Sequence, residues 1–391
     1  MYYSEASQIQ LNAAYMPDIV EKSSLSRLTV IIPTISRPDY VRRQIKYWLQ
    51  TDAEVRILDG ASVPIDLKEF DLSNKNVRYI HMPVKFNERL ATAGDLIETD
   101  FGCLLCDDEF FLPAGLGECI RHLDDHPDDI GCVGKALYFF VEQGKFLTFQ
   151  GYEDWLPFAD DAVTSTDRVI QVLPPLKTHK VQFGIYRTKY WSKIFAESYR
   201  DYYSSGYLYE RMLNLYSAVL GRTVILNDLL WMRSMENPPI SDAAVPRGDG
   251  GMVGWADNLA NRSELLHYRN KVRDIIATGD GISLTEADEF ADQIVYGGIE
   301  RQRVKDARVH QPKARIRNAV IRYGPKSLKL IAKRIGPRFI LRRLDWNGYP
   351  LRSTVRHLQR QHIRFDVKDL RRIEELALET YLLQSPKRIQ V

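Results

Sequence analysis

The sequence lacks both long apolar runs and a basic, apolar N-terminal stretch. Its longest apolar runs, such as Leu28–Ile32 and Phe101–Cys106, are far shorter than the roughly 20 residues that a membrane-spanning helix needs. The first residues, Met1–Glu5, have neither feature of a secretory signal. These absences argue against a polytopic membrane protein and predict a cytoplasmic location.

Cysteine is also scarce. The four cysteines, Cys103, Cys106, Cys119 and Cys132, lie in one 30-residue window, and no second pair elsewhere completes a zinc site. Cys103 and Cys106 belong to a run typical of a buried strand, where residues three apart point to opposite faces. We therefore interpret the cysteines as buried structural thiols.

The remaining composition is that of a folded protein. Of the 391 residues, 45% are hydrophobic and 27% are charged, which excludes wholesale disorder. The length allows two to three domains. A single small binding module is therefore disfavoured.

Strand and helix patterns alternate through the first 140 residues. The run Leu28–Ile32, which we expect Pro33 to end, precedes a helix that opens at Arg37-Pro38-Asp39 and extends through Leu49. Further strands are predicted at 54–58, 77–81 and 101–106, with a helix at 87–98 before the last of them. This alternation predicts an α/β fold with a mostly parallel sheet and helices on both faces.

The second half continues with strands at 130–140, 181–186 and 224–227 and a helix at 208–220. Glycine and proline then become frequent, which is typical of a loop, before helical patterns resume. The predicted organisation is an N-terminal arm (1–26), a catalytic domain (27–236), a flexible loop (237–260), a helical segment (261–310) and a basic helical C-terminal region (311–391).

Positive charge is concentrated late in the chain. Between Arg301 and Asp345 fifteen Lys or Arg residues stand against two acidic residues, although the whole chain carries a net charge of only +3. Two interpretations stay open: residues 311–343 attach to an anionic membrane surface, or the region packs on an acidic catalytic domain or on a second copy of the chain. Nucleic-acid binding is disfavoured, because aromatic residues that stack bases are sparse there.

Three acidic residues, Asp107-Asp108-Glu109, follow the most apolar predicted strand. Carboxylates at the end of a buried strand need a balancing positive charge, because a desolvated carboxylate is otherwise driven toward its neutral form. In an extended tip Asp107 and Glu109 point the same way and can share one Mg²⁺ or Mn²⁺ ion, with Asp108 directed away toward hydrogen bonds or a sugar. The alternative is a helix cap.

Two other polar residues end predicted strands. Thr34 follows the first strand and Asp59 the second. Ligands of open α/β sheets bind outside the carboxyl ends of the strands. We therefore expect Thr34, Asp59 and Asp107 to converge on one crevice, although Asp59-Gly60 alone is more often a turn.

These motifs resemble those of the GT-A (Rossmann-like) glycosyltransferases, especially the family-2-like bacterial enzymes, over residues 27 to about 230. The resemblance is carried by Val30-Ile31-Ile32-Pro33-Thr34, Arg37-Pro38, Leu58-Asp59-Gly60-Ala61-Ser62 and Leu105-Cys106-Asp107-Asp108-Glu109 with Pro113. It implies a GT-A catalytic domain that binds a nucleotide sugar, with UDP as the expected nucleotide, and a divalent cation held at the D-x-D position.

Carried over residue by residue, the resemblance assigns donor binding to the ends of the first two strands and to the acidic stretch. The usual Arg-Asn pair before the acidic stretch is Ala91-Thr92 here, so Arg89 is the candidate for pairing with the diphosphate. The implied donor-binding residues are Pro33, Thr34, Arg37, Asp59, Arg89, Asp107 and Asp108, and the implied metal ligands are Asp107 and Glu109.

The resemblance also implies a catalytic base. The family carries an acidic residue at a helix start eleven residues before a glycine, and Glu210 stands eleven residues before Gly221. Glu210 is therefore the candidate base, and Asp201 is the substitute if this register is wrong. An exposed acid without a catalytic role is the alternative for Glu210.

The expected activity is metal-dependent, inverting transfer of a sugar to a hydroxyl of a glycan or a lipid-linked saccharide, on the inner face of the membrane if the basic region binds lipid. Two alternatives remain. A nucleotidyltransferase for activated sugars needs a glycine-rich phosphate loop, which Pro33–Arg37 lacks. A non-catalytic, membrane-associated scaffold of the same fold is the other.

Overall fold

The computed structural model describes residues 22–73, 75–151, 164–172, 183–236, 251–309 and 348–388. Its strands are β1 (Leu28–Thr34), β2 (Glu54–Asp59), β3 (Val77–His81), β4 (Phe101–Leu104), β5 (Phe110–Phe111), β6 (Asp129–Glu142), β7 (Lys145–Gly151), β8 (Ile185–Arg187), β9 (Arg222–Ser234) and β10 (Tyr349–Pro350).

The helices, named in the same way, are distributed between and after these strands. They are α1 (Lys22–Leu25), α2 (Pro38–Trp48), α3 (Phe86–Thr92), α4 (Pro113–Asp125), α5 (Ser165–Val172), α6 (Thr188–Arg200), α7 (Gly206–Leu220), α8 (Gly251–Asp257), α9 (Arg262–Asp280), α10 (Leu284–Val309), α11 (Leu351–Arg360) and α12 (Val367–Arg388), with 3₁₀ turns at Ala93–Leu96 and Leu259–Asn261. Within the described ranges, no helix is long and apolar enough to cross a bilayer.

The described strands form one sheet in the order β10-β7-β6-β8-β4-β1-β2-β3, with β9 paired to β6 and β5 paired to β9. The four strands β3, β2, β1 and β4 are mutually parallel, which confirms the predicted parallel centre. Beyond β4, β8 is antiparallel to both β4 and β6, and the sheet becomes mixed.

Helices cover both faces of this sheet, as predicted. In β1, Val30 and Ile32 belong to one apolar core and Ile31 to another, because successive side chains of a strand point to opposite faces. The first core is covered by α2, α4 and α12. The second is covered by α3, α6, α7, α9 and α10.

Pro33 does not end β1, contrary to the expectation from its missing N–H. The strand continues to Thr34, and Pro33 pairs with Leu58 of β2. On the other side of β1, pairing with β4 reaches only as far as Ile31. Pro33 lies beyond the last residue pair between β1 and β4. Among the described residues no strand partner on that side needs a backbone N–H from position 33, so a proline is tolerated there.

The cysteines are mostly buried, as predicted. All four are free, and Cys103, Cys119 and Cys132 are buried while Cys106 is half-buried. Burial raises the pKa of the Cys103, Cys106 and Cys132 thiols well above the ordinary value. High-pKa thiols of this kind are poor nucleophiles and poor metal ligands.

Residues 348–388 pack against the sheet that carries the first half of the chain. Strand β10 pairs with β7, and Arg364 binds Asp228 of β9 with an Nη2–Oδ2 distance of 2.6 Å. Asp369 lies in the first turn of α12. Its carboxylate accepts from the Ala114 amide of α4 at 3.3 Å. This part of the C-terminal region therefore follows the packing interpretation, while the basic residues 311–343 lie outside the described residues.

Candidate active site

The carboxyl ends of β1, β2 and β4 meet in one hydrogen-bonded site, where the sequence predicts convergence. Thr34 and Asp59 are paired across β1 and β2. The Thr34 hydroxyl donates to Oδ2 of Asp107 at 2.6 Å. Three strand ends that are distant in sequence are thus joined through one threonine.

Arg89 bridges the ends of β1 and β2 through hydrogen bonds to their backbone carbonyls. Its guanidinium donates to the carbonyl oxygens of Thr34 and Leu58, at 2.6 and 2.8 Å, and the residue is 2% exposed. A Cβ at Gly60 would lie 2.4 Å from the Arg89 Cζ atom, so the approach requires glycine. Burial lowers the pKa of Arg89, and the charges of Asp59 and Asp107 oppose that shift.

Asp59 is fully buried and already paired within the protein. Its Oδ1 accepts from the Ala61 amide at 2.9 Å, and its Oδ2 accepts from the Tyr79 hydroxyl at 2.5 Å. Burial, followed by the hydrogen bond to Asp59, raises the pKa of Tyr79 to about 12. Asp59 therefore fixes the turn at Gly60 and the adjoining tyrosine, and a direct contact between Asp59 and a nucleobase stays a prediction.

The acidic stretch is not extended, contrary to expectation. The Glu109 amide donates to the Cys106 carbonyl at 3.1 Å, closing a tight turn, and we call residues 106–109 the acidic turn. Because the chain reverses here, the alternation of an extended strand does not apply. Asp107 and Asp108 consequently face the same partner, and Glu109 turns inward.

Arg37 is that shared partner. Its Nη1 donates to Oδ1 of Asp107, and its Nη2 lies 3.3 Å from Oδ2 of Asp108. Although burial acts to lower it, the charges of Asp107 and Asp108 together raise the pKa of Arg37. Burial raises the pKa of Asp107 to about 6, against the lowering effect of Arg37.

Glu109 has a separate environment on β9. Its Oε2 accepts from the Trp231 indole N–H at 2.8 Å, and its Oε1 lies 3.8 Å from Nε of Arg233. Burial, and then the charge of Asp108, raises the pKa of Glu109 to about 8. Glu109 is thus a buried carboxyl with a raised pKa beside the site, and its role as a metal ligand stays a prediction.

Two buried side chains of α2, which sequence reasoning missed, hold the backbone of the acidic turn. Gln44 Nε2 donates to the carbonyls of Asp107 and Glu109, at 3.0 and 2.6 Å. Arg43 Nη2 donates to the Asp108 carbonyl at 2.7 Å. Three consecutive carbonyls are therefore satisfied from one helix, and the signal in the sequence was a glutamine within the apolar stripe Val41, Gln44, Ile45 and Trp48.

The donor set fits a divalent cation with few protein ligands. Oxygen atoms of Asp107 and Asp108 already converge on one positive group, the Arg37 guanidinium. Among the described residues no group of three or more His, Cys, Asp or Glu side chains is placed to hold a metal. Mg²⁺ is commonly held by one or two carboxylates together with substrate phosphates, so Asp107 and Asp108 are the pair that suits such an ion.

The two candidate bases differ in their surroundings. Glu210 is exposed near the start of α7. Burial raises the pKa of Tyr199, and the charge of Glu210 adds to that shift.

Asp201 is occupied by ion pairs. Its Oδ2 lies 2.9 Å from Lys271 Nζ and 3.3 Å from His267 Nε2. Although burial acts in the other direction, the hydrogen bond from Lys271 lowers the pKa of Asp201. A carboxylate held in this way is a weak base, so Asp201 is the weaker of the two candidates.

The substitution Gln44→Leu is expected to lower the free energy of unfolding by about 1–3 kcal/mol, because it leaves two buried carbonyls of the acidic turn without a donor. Urea denaturation of the variant and of wild type measures this loss. Gln50→Leu, at an exposed glutamine just beyond α2, is the matched control. Equal midpoints for Gln44→Leu and wild type would show that the turn does not depend on these bonds.

Glu109→Gln tests the raised pKa. Because the folded-state pKa of about 8 exceeds the unfolded value, the native state binds more protons, and this residue's contribution to stability falls as pH rises from about 4.5 to 8. The variant should gain stability relative to wild type across that window, by up to about 1.4 kcal/mol per pH unit. Denaturation at pH 5, 6.5 and 8 measures the difference; a constant difference across the three would contradict a protonated Glu109.

No protein-family model matches the chain, and no curated protein matches it. Among solved structures the chain is similar to TarS 1-349 of S. aureus in complex with UDP-GlcNAc, at 16% identity over 91% of this chain and 92% of that chain, with a TM-score of 0.46. It is also similar to the same TarS fragment in complex with UDP, at 14% identity over 73% of this chain and 92% of that chain, with a TM-score of 0.42. The function proposed for this chain therefore stands on its own residues.

Proposed function

We propose that this protein is a GT-A-type glycosyltransferase that moves a sugar from a nucleotide sugar, with UDP as the nucleotide, to a hydroxyl of a glycan or lipid-linked acceptor. The proposal rests on the motif resemblance and on one observation in the fold. That observation is the convergence of Thr34, Asp59 and the acidic turn at the carboxyl ends of adjacent parallel strands. Ligands of open α/β sheets bind at this edge.

The nucleotide is expected to lie across the ends of β1 and β2. Pro33 and Thr34 end one strand and Asp59 ends the next, and Arg89 holds their carbonyls in register. Asp59 acts in this proposal by fixing the turn that receives the base. Arg89 lies behind Gly60 and contributes a positive potential toward the diphosphate.

Asp107 and Asp108 would hold a Mg²⁺ or Mn²⁺ ion. When bound, such an ion neutralises the charge of the departing nucleoside diphosphate. The protein's own contribution is to keep two carboxylates aimed at one point, which Gln44 and Arg43 do through the backbone of the turn. Thr34 fixes the remaining oxygen of Asp107.

Glu210 is the proposed general base. Its carboxylate accepts the proton of the acceptor hydroxyl while the hydroxyl oxygen forms a bond to the anomeric carbon and the bond from that carbon to the diphosphate oxygen breaks. A single displacement of this kind inverts the anomeric carbon. The exposure of Glu210 near the start of α7 supports this role.

Association with the inner face of a membrane through residues 311–343 and assembly with a second copy remain predictions from the charge pattern. Those basic residues lie outside the described ranges. In the described part, Arg364 and Asp369 anchor the following segment on β9 and α4. A lipid-linked acceptor would meet the enzyme at the surface that the basic residues contact.

Calorimetric titration of UDP and of other nucleotides, with and without Mn²⁺, tests the donor site. Wild type should bind UDP in the presence of Mn²⁺, and Asp108→Asn should weaken that binding by at least about tenfold, equal to about 1.4 kcal/mol. Asp95→Asn, at an exposed acid in the 3₁₀ turn after α3, is the control. Preference for another nucleotide would change the donor class, and absence of all nucleotide binding would contradict a transferase and favour the scaffold.

Measuring kcat for variants of Glu210 and Asp201 distinguishes the two candidate bases. Glu210→Gln should reduce kcat by a factor on the order of 10²–10⁴ with little effect on donor KM, because it removes only proton transfer. Asp201→Asn should change kcat much less, since Asp201 is held by Lys271. UDP release, measured with a panel of UDP-sugars and glycan acceptors, gives both values. A larger kcat loss in Asp201→Asn would reverse the assignment.

A further inference from the structure

Arg37 is held chiefly by the carboxylates that the proposed cation would use. Its side-chain hydrogen bonds among the described residues go to Asp107 and Asp108, and its guanidinium lies 4.8 Å from the centre of the Tyr40 ring. The Asp107 side chain is 1% exposed and that of Asp108 is 14% exposed. Two adjacent carboxylates, largely out of water, need such a cation between them.

The neighbouring Arg89 shows what a permanent structural arginine looks like in this site. Arg89 is anchored by two backbone carbonyls and packed against Gly60. The Arg37 side chain is 19% exposed, and no backbone carbonyl appears among its side-chain partners in the described residues. Of these two arginines, Arg37 is therefore the one that can leave without breaking the sheet edge.

Arg37 lies at the junction between an exposed turn and helix α2. Ser36 has a φ of +55°, a left-handed conformation that is unfavourable for a residue with a side chain. Arg37 precedes α2 with a φ of −127° and a ψ of 61°, outside the helical region. Ile35 and Ser36 are exposed, whereas the Arg37 carbonyl accepts from the Tyr40 and Val41 amides at 3.1 Å each. The exchange therefore moves the Arg37 side chain and leaves its backbone as the cap of α2.

We propose that Arg37 is an exchangeable internal counterion, which occupies the place between Asp107 and Asp108 that the divalent cation takes, so that the cation enters only as Arg37 leaves. The inference rests on the proposed metal-assisted donor site. One carboxylate oxygen pair does not hold a guanidinium and a divalent ion together, because the two cations repel at this separation. Arg37 thereby stabilises the site before the metal arrives and lowers the affinity of the free protein for metal.

Mn²⁺ binding in the absence of nucleotide tests the inference, with free Mn²⁺ followed by electron paramagnetic resonance. Arg37→Gln should bind Mn²⁺ more tightly than wild type, by a factor on the order of ten, because the competing charge is gone. Arg37→Lys keeps the charge and should stay near wild type. Arg42→Gln, which removes an arginine of α2 that pairs with Glu69 outside the site, is the matched control.

Adding Asp107→Asn to the Arg37→Gln variant should abolish the gain and so locate it at the acidic turn. Equal or weaker Mn²⁺ binding by folded Arg37→Gln and folded Arg37→Met, verified by their unfolding transitions, would overturn the inference. Failure of the inference is distinct from failure of the proposed function. If wild type binds UDP but Arg37→Gln binds Mn²⁺ no more tightly than wild type, the transferase proposal stands and Arg37 is a permanent part of the site. If Arg37→Gln binds Mn²⁺ more tightly but wild type does not bind UDP, the counterion inference stands and the transferase proposal fails.

Discussion

The burial of carboxylates at one edge of the sheet is the constraint on which the rest of the site depends. Asp59, Asp107 and Glu109 are between 0 and 5% exposed, and a desolvated carboxylate must be hydrogen-bonded, paired or protonated. Each of the three meets this demand differently. Asp59 accepts from an amide and a tyrosine, Asp107 from a threonine and an arginine, and Glu109 becomes a weak acid beside an indole.

Helix α2 is the element that makes this arrangement possible. The residue before its first turn, Arg37, supplies the charge, and its middle supplies the donors Arg43 and Gln44 that fix the backbone of the acidic turn. Its end is in turn held from the C-terminal region, because Arg372 of α12 donates to the carbonyls of Lys46 and Tyr47. The C-terminal helix thus supports the site from a distance, through the helix on which the site is built.

The two halves of the proposed chemistry lie on different structural supports. The rigid parallel centre of the sheet positions Thr34, Asp59 and the acidic turn, while Glu210 comes from α7, a helix of the opposite face. In this arrangement the strands hold the charged groups of the donor site in fixed positions. The proposed base lies on a separate helix, where an acceptor can reach it.

The sequence by itself determined the layers of the fold and the sheet edge at which Thr34, Asp59 and Asp107 meet. Its alternating strand and helix patterns depend on local spacing, so the parallel centre, the two-sided helical cover and the buried cysteines were predictable from residues close together in the chain. It also placed Thr34, Asp59 and the acidic stretch at strand ends, since the direction of parallel strands brings those ends to one edge.

Only the tertiary structure decided which partner each side chain has. The reversal at Cys106–Glu109, the pairing of both Asp107 and Asp108 with Arg37, and the inward position of Glu109 depend on a turn and on helix α2, more than sixty residues earlier in the chain. Pro33 was tolerated for a similar reason, because the length of β4 decides which amides of β1 need a partner. Local pattern thus specified the elements and the edge where the charges lie, and long-range packing specified how those buried charges are balanced.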